Sequence, residues 1–130
     1  MNKAAILVAV LIALSGCGSD PTDPLAQFEP QVTNSTDSFQ LQASNVTDVG
    51  TTLQYSWENT GTQASVDHST TTVGGVAGLV IKDASGATVY EQGLTPSLNE
   101  DTSSGSTGTW TIRVVLNAYS GTLNFRVQKK

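Results

Sequence analysis

Alternation constrains this chain more than any other feature. Trp110, Ile112, Val114 and Leu116 are apolar, with Thr111 and Arg113 between the first three. Successive strand side chains point to opposite faces, so a period of two reads as a strand with one buried side. The pattern recurs in Phe39, Leu41 and Ala43, and again in Leu53, Tyr55 and Trp57. It returns in Ala64, Val66 and His68, in Ala77, Leu79 and Ile81, and in Leu123, Phe125 and Val127. Asp83-Ala84-Ser85-Gly86 reads as a turn into a strand from Ala87 to Glu91, and Asn117 to Gly121 as the turn before the last strand. Each stripe covers one side of a core, so two sheets must face each other. The expected fold is all-β: a single two-sheet antiparallel β-sandwich of about seven strands, Ig-like or jelly-roll, over residues 31–130.

Composition narrows the function classes. Six Lys and Arg stand against eleven Asp and Glu, a formal net charge of −5. The acids are spread along the chain, and only Lys129 and Lys130 adjoin as cations. A phosphate-binding surface needs clustered cations, so nucleic acid is not an expected partner. Cys17 is the single cysteine, which leaves no disulfide within the chain. The fold must rest on its apolar core.

Upstream of the strands the chain has another organisation. Lys3 gives a positive head, Ala4 to Leu14 is wholly apolar, and Ser15-Gly16 is a small-residue exit. These are the three parts of a secretory signal. Eleven helical residues span roughly 16 Å, about half of a hydrocarbon core, which disfavours a retained membrane span. Leu14-Ser15-Gly16-Cys17 resembles the lipobox of bacterial lipoproteins. That resemblance implies removal of the signal peptide 1–16, a thioether-linked diacylglycerol on Cys17, and acylation of the new amino terminus. Several acyl chains on one residue suffice for stable anchoring, so the membrane becomes the first expected partner. Gly18 stands where inner-membrane lipoproteins of enteric type carry Asp, which by the same resemblance implies the outer membrane. From Cys17 to Pro30, Pro21, Pro24 and Pro30 favour extended backbone, so 17–30 reads as a tether reaching about 40 Å. Gly105 to Val127 resembles the closing hairpin of jelly-roll accessory domains on secreted proteases, a Gly-x-Trp strand, a turn and a Gly-x-Leu strand.

Chemistry-bearing constellations are sparse. His68 is the one histidine, and Asp67 beside it would point to the opposite face of a strand. Glu58, Asp67, Asp83, Glu91, Glu100 and Asp101 show no spacing that pairs two carboxylates across a cleft. The polar stretch Leu94 to Gly108 offers Asn99, Glu100 and Asp101 as hard oxygens for Ca²⁺. It lacks an Asp-x-Asp-x-Asp-Gly pattern, so neither metal nor cofactor is expected. Tyr119, at the tip of the last hairpin, and Tyr90 read as exposed aromatics, whereas Trp57 and Trp110 are in phase with the core. The expected function is that of an envelope lipoprotein with a non-catalytic interaction module for a protein or glycan. The alternatives are an envelope hydrolase and a structural lipoprotein without a discrete ligand. Binding is expected at the loops Leu94–Gly108 and Asn117–Gly121, the segments that a rigid sandwich presents most freely.

Overall fold

The computed structural model describes residues 24–95 and 97–130. The signal segment 1–16, Cys17 and the first part of the tether lie outside the described residues. The described residues form seven strands in order: β1 (Gln31–Ser35), β2 (Ser38–Asn59), β3 (Ala64–His68), β4 (Thr71–Lys82), β5 (Thr88–Gly93), β6 (Leu98–Asp101) and β7 (Gly108–Lys129). All pairings are antiparallel and belong to one hydrogen-bonded sheet, with a path β1-β2-β7-β3-β6. β4 also pairs with β7, and β5 pairs with β4.

One sheet makes two layers because its longest strands fold over. Phe39 and Tyr55 both lie in β2, sixteen residues apart, and a straight strand would separate them by about 50 Å. Their ring centroids are 5.1 Å apart. At the two ends of β2, the Asp37 amide donates to the Glu58 carbonyl at 2.8 Å. β7 runs the same course beside it, with Gly108 opposite Asn59 and Gln128 opposite Ser38. The first layer holds β1, the start of β2, the end of β7, β3 and β6. The second holds the rest of β2 and β7, most of β4, and β5.

The corner between layers has a local cause on each strand that crosses it. Positive φ occurs at Asn45 (56°) and Asp48 (49°) in β2, Gly75 (74°) in β4, and Ala118 (47°) and Gly121 (148°) in β7. The β2–β7 ladder slips register between Ala43 and Thr51, and the β4–β7 ladder between Thr72 and Val76. Extra unpaired residues of this kind bend a strand and let a sheet turn onto itself.

Inside, the expected stripes meet. Leu41, Val66 and Phe125 from one layer pack in one cluster with Trp110, Val114 and Leu79 from the other. Trp57 and Trp110 face each other edge to plane at 5.9 Å. Their indole N–H groups donate to the carbonyls of Ser35 (3.0 Å) and Ser106 (2.7 Å). The two bulkiest core residues therefore bury no orphan donor.

The architecture differs from the sequence expectation in several places. Asn117–Gly121 is not a turn, because β7 runs through it as a single strand, so the expected hairpin is one bent strand. Tyr119 is fully buried, and its hydroxyl donates to the Thr71 carbonyl at 3.0 Å. The stretch Leu94–Gly108 contains β6 and buries Leu94 and Thr102, so it is only partly a free loop. Finally, the tether ends earlier than Pro30: Leu25 is fully buried in the core, and a short 3₁₀ turn, Ala26–Phe28, packs Phe28 against it.

Candidate functional site

Three places on the fold hold the side chains that function would use. The first is interior. His68 ends β3 with its side chain turned inward, 1% exposed. Its Nε2 lies 3.3 Å from the Tyr90 hydroxyl, which donates to Glu100 Oε1 at 2.9 Å. With the phenol proton committed to Glu100, Nε2 carries the imidazole proton and donates to the phenol oxygen. Nδ1 then remains as a buried acceptor without a partner. Burial, and next the Glu100 carboxylate, hold the Tyr90 phenol far above its usual range, so it stays a neutral donor. The three groups come from β3, β5 and β6 and tie the two layers together.

This network explains where sequence reasoning misplaced Tyr90. β5 shifts register against β4 between Ile81 and Lys82, so Val89 and Tyr90 are both buried although adjacent. A bulge breaks the alternation that would otherwise expose one of them. The network does not assemble a triad. Asp67 points away from His68 to the outer face, where it pairs with Arg126 at 3.1 Å. Catalysis through His68 would also require a route for substrate to a side chain buried behind Tyr90.

The second place is β6. Asn99, Glu100 and Asp101 are consecutive strand residues, so they point alternately to opposite faces. Glu100 accepts from Tyr90, while Asp101 accepts from the Ser65 hydroxyl at 3.1 Å and pairs with Lys130 at 2.5 Å. The three oxygen donors weighed for Ca²⁺ are thus not brought together. Among the described residues, no group of three or more acidic, histidine or cysteine side chains is placed to hold a metal ion.

The third place is the outer surface of β4 and its neighbours. Val73 is 82% exposed, Val76 60% and Val115 38%. Val76 and Val115, with Val80, border a hollow of about 470 Å³ over Gly78 and Gly93, which pair directly across β4 and β5. Two glycines side by side leave bare backbone as the floor. Nearer the corner, Val73 and Thr71 line a second hollow of about 510 Å³ with Asn45, Thr47 and Ser120. β5 covers the outer edge of β4 only from Gly78 to Lys82. Among the described residues, no strand pairs with that edge from Thr71 to Val76. Such an edge offers backbone donors and acceptors to another chain.

Sequence reasoning did not anticipate this surface. Val73 and Val76 flank Gly74-Gly75, and the bulge there turns both valines outward. Cys17, the candidate lipidation site, lies outside the described residues. No protein-family model matches this chain, and no curated protein matches its sequence.

Proposed function

We propose that this chain is a lipid-anchored protein of a bacterial envelope, held through Cys17, whose folded domain binds a partner and does not catalyse. The observation that carries the binding part is the exposure of Val73 and Val76 on β4 and of Val115 on β7, beside an unpaired stretch of strand edge. Exposed apolar groups that cluster on one face, next to open backbone groups, mark an interaction surface more than an active site. The catalytic alternative is disfavoured by the same geometry, since the one histidine is buried and its proton is engaged with Tyr90. The anchoring part is supported by the lipobox-like Leu14-Ser15-Gly16-Cys17. Docking of Leu25 on the core leaves only 18–24 as a spacer between lipid and domain. Seven extended residues reach about 25 Å, so the domain would work close to the membrane surface.

The anchor is tested by metabolic labelling with an alkyne fatty acid. Wild type incorporates the label, and Cys17→Ser does not while its domain stays folded. Equal labelling of both removes the anchor. The absence of catalysis is tested on a panel of ester, peptide and glycan substrates, where no turnover is expected. Turnover that His68→Ala abolishes in a folded protein would reverse the choice of class.

A further inference from the structure

Among the described residues, three cations hold an acid: Arg126 pairs with Asp67 at 3.1 Å, Lys129 with Asp37 at 3.5 Å and Lys130 with Asp101 at 2.5 Å. Lys82 and Arg113 hold none. Both face outward from the second layer. In the ladder Lys82 stands opposite Thr111, and Arg113 stands between Gln54 and Val80. The two cations are therefore diagonal neighbours on adjacent strands, a separation that long side chains bridge. With Gln54 and Thr111 they line a hollow of about 240 Å³. Among the described residues, none of these four side chains makes a hydrogen bond. Guanidinium, ammonium, amide and hydroxyl donors thus converge on one place, unengaged.

Val80 borders this hollow and also the aliphatic one over Gly78 and Gly93. A cationic end and an apolar end are continuous on a single face. The planar fork of Arg113 suits a carboxylate, which it can bind through two parallel hydrogen bonds. Glu91 faces Val80 from β5 and lines the hollow over Gly78 and Gly93, at the far side of Val80 from the cations, while Glu58, farther along, accepts from the Thr109 hydroxyl. One acid beside two cations favours a singly charged guest over a phosphate dianion. The chain carries −5 overall, so an acidic partner is repelled by most of the surface and steered to this one.

We infer that this face binds a carboxylate flanked by aliphatic groups, presented by a protein partner. The acid sits on Arg113 and Lys82, and its aliphatic neighbours lie over Gly78 and Gly93 between Val76, Val80 and Val115. A protein is the source because the aliphatic hollow is open outward: a free alkyl chain would keep one side in water, whereas a folded partner covers the groove. This rests on the interaction-module reading and adds the chemistry of the partner to it.

The test is calorimetric titration of the mature acylated protein, from Cys17 to Lys130, in phosphatidylcholine nanodiscs. The probe is the peptide acetyl-Ser-Leu-Val-Glu-Val-Leu-Ser-amide, compared with its Gln counterpart and with octanoate. The Glu peptide binds at least tenfold more tightly than the Gln peptide. Arg113→Gln and Lys82→Gln each weaken it at least tenfold, Val76→Asp abolishes it, and Glu91→Gln strengthens it. All four positions face outward, and a melting curve confirms that each variant is folded. Equal binding of the Glu and Gln peptides, or an Arg113→Gln variant that binds like wild type, overturns the inference. Tighter binding of octanoate than of the peptide overturns the protein source. A partner captured in cells that Arg113→Gln leaves in place sinks this inference while the interaction reading survives.

Discussion

Gly121 provides the sharpest test of how the sheet folds over. It sits in β7 at the corner with φ 148°, where a Cβ would lie 2.1 Å from the Thr71 carbonyl oxygen and 2.7 Å from the Tyr119 hydroxyl. Neither neighbour can give way cheaply. The carbonyl is backbone in the β4–β7 ladder, and the hydroxyl is held by that same carbonyl at 3.0 Å. A side chain at such a backbone angle costs about 1–3 kcal/mol. Forcing an extra carbon into a filled site costs about 1–3 kcal/mol more. Gly121→Ala should therefore lose about 2–6 kcal/mol, a large share of the roughly 5–15 kcal/mol that holds an ordinary domain. Gly74→Ala is the matched control, since it lies at the same corner with open space around its Cβ position and no positive φ. Its cost should stay near about 0.5 kcal/mol. Thermal melts followed by circular dichroism read both, at about 4 °C per kcal/mol for a domain of this size. If Gly121→Ala melts within 2 °C of wild type, or Gly74→Ala is equally damaging, the corner is not built this way.

Two further outcomes follow from the core and the turns. Trp110→Ala removes a fully buried indole and should cost about 3–5 kcal/mol, while Thr111→Ala, outward on the same strand, should leave the melting temperature nearly unchanged. Asp83 accepts from the amides of Ser106, Ser85 and Ala87 and from the Ser85 hydroxyl, and these donors, Ser106 first, hold its carboxyl down at about 2. A depressed carboxyl stabilises the fold above its unfolded value and stops doing so as pH falls through its folded value. Asp83→Asn should accordingly melt below wild type at pH 7, with the gap closing between about pH 4 and pH 2.

The stripes were legible because burial of one face imposes period two whatever the topology. Every inward set read from the sequence, from Phe39 to Val127, lies on the inner face in the structure. Continuity of the long strands was not legible. Asn45, Asp48, Ala118 and Gly121 take positive φ as turn residues do, and only their ladder partners distinguish a corner from a turn. Those partners lie some 40 to 80 residues away in the chain, beyond the reach of local pattern. β1 escaped notice because all five of its residues are exposed, and β6 because Leu98 is its one apolar residue. The seven observed strands therefore match the expected number by a different division of the chain. The proposed binding face is half legible. Arg113 is a lone charge inside the longest stripe, a signal of an outward position, but its neighbours Lys82 and Gln54 are set by register.

The proposed partner surface is the outer face of β4 and β7. Site-specific photocrosslinking in living cells tests it most directly, with the photoreactive residue placed at Val76 and, for comparison, at Gln31 on β1 in the other layer. Val76 should give one discrete adduct, lost when Arg113→Gln is added, and Gln31 should give none. No adduct at either position, or the same adducts from both, would contradict it.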